Sequence, residues 1–153
     1  MEKVNSIDVL NTLVEINNDR IEGYKKAIEN TEERDLKDLF STFQQTSRKC
    51  QADLISEINR IGGKATVGTT ASGKFFRGWM DVKSVLTGND RKSILNSCEY
   101  GEENANETYQ RVLEEEIEHL SPQQQSMIKA QRNLIKADES KIKSLLNNLV
   151  EAS

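Results

Sequence analysis

Glu102 and Asp138 are the two carboxylates of this chain that fall on apolar helical seams. A carboxylate held away from water must find a partner, take up a proton or face a wet pocket. Asn17 and Gln131 fall on the same seams as hydrogen-bond donors, and Tyr24 and Tyr109 offer hydroxyls. With Ser47 and Cys50 they define an expected interior polar layer: Asn17, Ser47, Cys50, Glu102, Gln131 and Asp138. The main reading is a hydrogen-bonded layer that fixes helix register. A second is an altered carboxylate metal site that recruits Asp19 or Glu22, and a third is acid–base chemistry by the carboxylate pair. The lone histidine, His119, closes a Glu-x-x-His string with Glu116. It lies at a helix end, where an imidazole is favourably placed against the helix dipole. Cys50 and Cys98 read as buried, reduced thiols, with a redox pair as the alternative. Gly68, Gly73 and Lys74 match the glycine–lysine spacing of a phosphate-binding loop. Phe75 follows in place of serine or threonine and no strand precedes, so Gly73 is read as a helix-entry turn.

These residues have to be positioned by helices. Ile7, Leu10, Val14, Asn17, Ile21, Tyr24 and Ile28 recur at steps of three or four, as do Leu36, Phe40, Phe43, Ser47, Cys50, Leu54, Ile58 and Ile61. A third seam runs Ile94, Cys98, Glu102, Ala105, Tyr109, Val112, and a fourth runs Ile128, Gln131, Ile135, Asp138, Ile142, Leu145, Leu149. Such spacing keeps side chains on one helical face. It predicts four helices over about 6–30, 35–61, 90–118 and 122–151, within a single domain spanning 1–153. Asn5 and Asn89 are the expected caps of the first and third helices. Gly62 and Gly63 end the second, and Ser121-Pro122-Gln123-Gln124 carries the cap, N1 proline and reciprocal glutamine of a helix start. The crossover 62–89 holds an aromatic stretch, Phe75 to Leu86, expected as a short helix lying over the core as a lid. A connector of that length would leave the second and third helices parallel.

Composition narrows the partners. Hydrophobic residues make up 35% and charged ones 30%, with one proline, which favours a helical chain over a sheet. A net charge of −4 with interleaved signs gives nucleic-acid binding no electrostatic support. No run approaches the roughly 20 apolar residues that span a bilayer, and MEKVNSIDVL lacks a signal-peptide core. Cytoplasmic residence, with no membrane partner, is the expectation.

The helix pair, long crossover and second helix pair resemble the ferritin-like superfamily. More narrowly, the chain resembles a bacterial family of four-helix-bundle domains of unknown function related to the YciE/YciF stress proteins. The motifs that carry this are LNTLVEINNDRIEGYKKAIE, SRKCQADLISEINRIGGKA, SGKFFRGWMDVKSVL, ILNSCEYGEENANETYQRVLEE and QRNLIKADESKIKSL. GEENANETY also resembles the third-helix pattern of rubrerythrins. The resemblance implies an all-α, ferritin-like four-helix bundle. Metal-binding relatives place a glutamate on the first and third helices and Glu-x-x-His on the second and fourth. Carried over, these positions hold Asn17, then Ser47 and Cys50, then Glu102, then Leu134 and Ala137, or Ile135 and Asp138 with the register moved by one. One of six ligands, Glu102, is kept. The expectation is a non-catalytic, stress-associated bundle with a degenerate di-iron site, no cofactor, and action through homodimerisation or an unknown protein partner. The alternative is an iron or manganese carboxylate protein handling iron, oxygen or peroxide.

Overall fold

A computed structural model describes residues 2–66 and 91–152, with side chains described over 6–66 and 91–149. Four α-helices dominate: α1 (Glu2–Asn30), α2 (Arg34–Arg60), α3 (Arg91–Glu115) and α4 (Pro122–Ala152). The described residues contain no strand. The aromatic lid, the phosphate-loop-like motif and the Asn89 cap fall outside the described residues.

Helix ends follow local chemistry at two places. Ser121 N–H donates to Gln124 Oε1 (2.9 Å) and Gln124 N–H to Ser121 Oγ (3.1 Å), a reciprocal capping box that opens α4. At the end of α2, Gly62 adopts φ 83°, and Gly63 N–H reaches back to the Ile58 carbonyl at 2.9 Å. With the Gly62 N–H on the Asn59 carbonyl this is a Schellman ending, which needs a residue tolerant of the left-handed region. Gly63 has a second constraint, because a Cβ there would stand 2.7 Å from Ile7.

Two boundaries differ from expectation. The Asn5 cap is corrected: α1 already begins at Glu2, and Asn5 lies inside it. The neighbouring Ser6 is buried, and its hydroxyl donates to the His119 carbonyl, tying α1 to the α3–α4 connection. α3 stops at Glu115 rather than about 118, because the chain tightens into a 3-10 turn, Ile117–His119, before extended Leu120. Pro122 disfavours helical geometry at Ser121, so a continuous helix cannot pass this point.

The helices run up-down-down-up. Arg91 at the start of α3 pairs with Asp35 (2.9 Å) and Glu33 (3.2 Å) at the start of α2, so α2 and α3 are parallel. At the opposite end Gln124 of α4 donates to Glu57 of α2 at 2.8 Å. α1 packs on α2 and α3, and α4 packs on α3 and more sparingly on α2, which places α2 and α3 across the diagonal. The apolar interior forms two clusters. One gathers Leu10, Leu13, Leu54, Ile58, Val112, Ile128 and Ile135; the other gathers Ala27, Leu36, Phe40, Phe43, Ile94, Leu95 and Ile142. Between them lies the polar layer.

Candidate functional site

Arg20, on α1, is the centre of that layer and is not among the residues the seams predict for it. Its side chain has 0% exposure. Nε donates to Glu102 Oε1 (2.7 Å) and Nη2 to Glu102 Oε2 (2.6 Å), a bidentate pair between α1 and α3. Nη2 also donates to Asp138 Oδ2 of α4 at 3.0 Å, and Nη1 to Ser47 Oγ of α2 at 2.6 Å. One planar cation thus touches all three other helices. Tyr24 Oη donates to Glu102 Oε2 at 2.7 Å, so both oxygens of this fully buried carboxylate are occupied. The fork geometry of guanidinium suits two-point carboxylate recognition, and charge-assisted bonds of this kind are the strong ones.

A second tier lies about one turn along the bundle. Asn17 Nδ2 donates to the Leu13 carbonyl and to Tyr109 Oη, both at 2.8 Å. Tyr109 Oη donates to Gln131 Oε1 at 2.7 Å, and Gln131 Nε2 to the Cys50 carbonyl at 3.2 Å. The relay runs α1, α3, α4, α2. Both tiers therefore join all four helices, and sliding any helix by one turn would strand buried polar atoms in both.

Electrostatics follows from burial and charge count. Burial alone would lower the Arg20 pKa, but Glu102 outweighs it and leaves the guanidinium charged. Burial, reinforced by Glu102, pushes the Tyr24 hydroxyl up, and burial does the same to Tyr109; both stay protonated donors. Asp138 is pushed up to about 6, first by burial and then by Glu102, with Arg20 opposing. One guanidinium balances one carboxylate. The second carboxylate, 13% exposed, carries the excess negative charge.

The expected layer residues are brought together unevenly. Asn17, Ser47, Cys50, Glu102 and Gln131 are buried. Asp138 is half-buried at the α2–α4 seam rather than deep in the core. Asp19 is buried and Glu22 half-buried on α1, while the carboxylates that the Arg20 fork reaches are Glu102 and Asp138. On α4 the two registers for the carried-over ligand positions are distinguished, and Leu134 and Ala137 lie on the outer face. Leu134 is 44% exposed and Ala137 is exposed; Ile135 and Asp138 face the interior. Cys50 and Cys98 are both buried on diagonally opposed helices and no disulfide joins them. Burial pushes the Cys50 thiol up to about 11, far from the thiolate that redox chemistry requires. His119 sits in the 3-10 turn, 3.5 Å from Glu116, away from the layer. Among the described residues no group of three or more His, Cys, Asp or Glu side chains is arranged to hold a metal ion, and no helix is long and apolar enough to cross a membrane.

Two solved structures share this architecture. A single-substitution mutant of Mycobacterium smegmatis Dps1 superposes with a TM-score of 0.80 at 16% identity, covering 95% of this chain and 97% of its own. The conserved hypothetical protein rv2844 of Mycobacterium tuberculosis gives 0.74 at 13% identity, covering 96% and 94%. Similarity at this identity establishes the ferritin-like four-helix fold and nothing of activity. No curated protein matches the sequence. The domain of unknown function DUF2383 matches residues 5–115, most of the chain including Arg20, Tyr24, Ser47 and Glu102, and the protein belongs to that family.

Proposed function

We propose that this chain is a non-catalytic, ferritin-like bundle in which the Arg20 guanidinium stands where metal-binding relatives hold their ions. The observation that carries the reading is the fully buried fork between Arg20 and Glu102, with Asp138 and Ser47 on the same guanidinium. A di-metal site in such a bundle draws on four carboxylates and two imidazoles. Around the guanidinium this interior offers Glu102 and Asp138 and no imidazole, with a fixed positive charge already lying between the two carboxylates. Two divalent ions do not fit that set, since their charge would be repelled by Arg20 and left short of donors.

The layer then serves to fix helix register, and action passes to the outer surface. Within this proposal the chain is a single domain spanning 1–153, kin to the YciE/YciF stress proteins. It resides in a bacterial cytoplasm and works through homodimerisation or contact with another protein. Elemental analysis of protein purified without chelators, before and after loading with iron or manganese, tests the central part. Far less than one bound ion per chain is expected. About two ions per chain, the complement of a di-metal bundle, would favour the competing reading of iron, oxygen or peroxide chemistry. Light scattering at rising concentration tests self-association: a dimer mass is expected, and a monomer mass throughout would overturn that part.

A further inference from the structure

We infer that the polar layer is a guanidinium-recognition site in its own right, whose occupant happens to be tethered to α1 through the Arg20 stem. This rests on the reading of Arg20 as the layer's resident cation. Three independent elements supply acceptors to the guanidinium: Glu102 from α3, Ser47 from α2 and Asp138 from α4. None of the three lies on α1, whose remaining contribution to the acceptors is the Tyr24 hydroxyl on Glu102. The acceptors spread over the fork: Glu102 takes Nε and Nη2, Ser47 takes Nη1, and Asp138 takes a second bond from Nη2. Their arrangement matches a planar fork rather than a point charge, which is the distinction between guanidinium and an ammonium or metal ion. Tyr24 buttresses the assembly by donating to Glu102 Oε2, and its ring centroid lies 5.5 Å from the guanidinium carbon. Asp138 marks the outer edge of the site, where its side chain remains 13% exposed.

The site should therefore accept a free guanidinium-type cation once the tether is cut. Arg20→Ala removes Cγ, Cδ and the charge, and methylguanidinium restores the charge, its methyl standing for Cδ. Thermal unfolding of Arg20→Ala is expected to show a rise that grows with the logarithm of methylguanidinium concentration and reaches about 3 °C or more at ten times the dissociation constant, with the wild type unmoved or slightly lowered. Equal concentrations of methylammonium or manganese should give less than methylguanidinium. A variant stabilised by manganese as well or better, or not raised by methylguanidinium at all, would overturn the inference. Where Arg20→Ala does not fold, Arg20→Ala/Asp138→Asn leaves one buried carboxylate and takes its place. Methylguanidinium should still stabilise it through Glu102, and no shift there counts equally against the site. Because metal content of the wild type is a separate measurement, failure here leaves the metal-free reading to stand or fall by itself.

Discussion

A guanidinium removed from water is tolerated only where its charge and its donors are both met, and Arg20 meets that condition through three helices. The ion pair need not add net stability, since apolar replacements of similar volume are often as stable as buried pairs. Its loss is another matter. Arg20→Met keeps most of the stem but leaves Glu102 and Asp138 facing each other, and should cost about 3–5 kcal/mol in urea unfolding. Replacing Arg20, Glu102 and Asp138 together by Met, Leu and Leu should recover most of that cost. A triple variant as unstable as the single one would show that packing of the arginine stem, and not charge balance, dominates. Arg20 was hidden in the sequence for a specific reason. From Asn17 a step of three reaches Arg20 and a step of four reaches Ile21, and both lead on to Tyr24. Hydropathy selects the isoleucine; the bundle buries the arginine and leaves Ile21 half-buried. The signal lies in the other half of the pair: two carboxylates on apolar seams demand a cation, and α1's own arginine is in register to supply it.

At the scale of the helix, α4 is held to the layer through Asp138, and that attachment is sensitive to pH. The carboxyl's folded pKa of about 6 lies above its ordinary 3.8, so the native state binds the proton more tightly than the unfolded chain. The associated stability is fully present below about pH 4 and is lost as pH rises through about 6. Wild type should accordingly lose stability relative to Asp138→Asn between pH 4.5 and pH 7.5, measured by urea unfolding at fixed ionic strength. Parallel pH curves for the two proteins would contradict the assignment. The start of α4 makes a separate prediction: Ser121→Ala removes one arm of the capping box and should cost about 1 kcal/mol, with unchanged helical content. A neutral result would mean that Pro122 and Gln124 suffice. This helix start was legible because it depends on four adjacent residues. The end of α3 was not, since the 3-10 turn that follows it is tied through the His119 carbonyl to Ser6 of α1, a contact 113 residues apart in sequence.

Across the whole molecule, two apolar clusters flank two polar tiers, and each tier crosses all four helices. The fold class was readable because four seams at 3,4 spacing allow few arrangements, and the long crossover implied parallel α2 and α3. What the seams could not convey was the pairing within the layer, because hydropathy records which residues face inward and not which meet. Both cysteines belong to this interior. Neither thiol should react with a water-soluble disulfide reagent in the native protein, whereas both should react after denaturation; rapid native labelling of Cys50 would show the second tier to be open. The central claim is that the cation between Glu102 and Asp138 is a guanidinium. It is tested most directly by anomalous diffraction from crystals soaked in iron or manganese. The account predicts continuous density for Arg20 between the two carboxylates with no anomalous signal beside it; a pair of anomalous peaks bridged by Glu102, with Arg20 displaced, would contradict it.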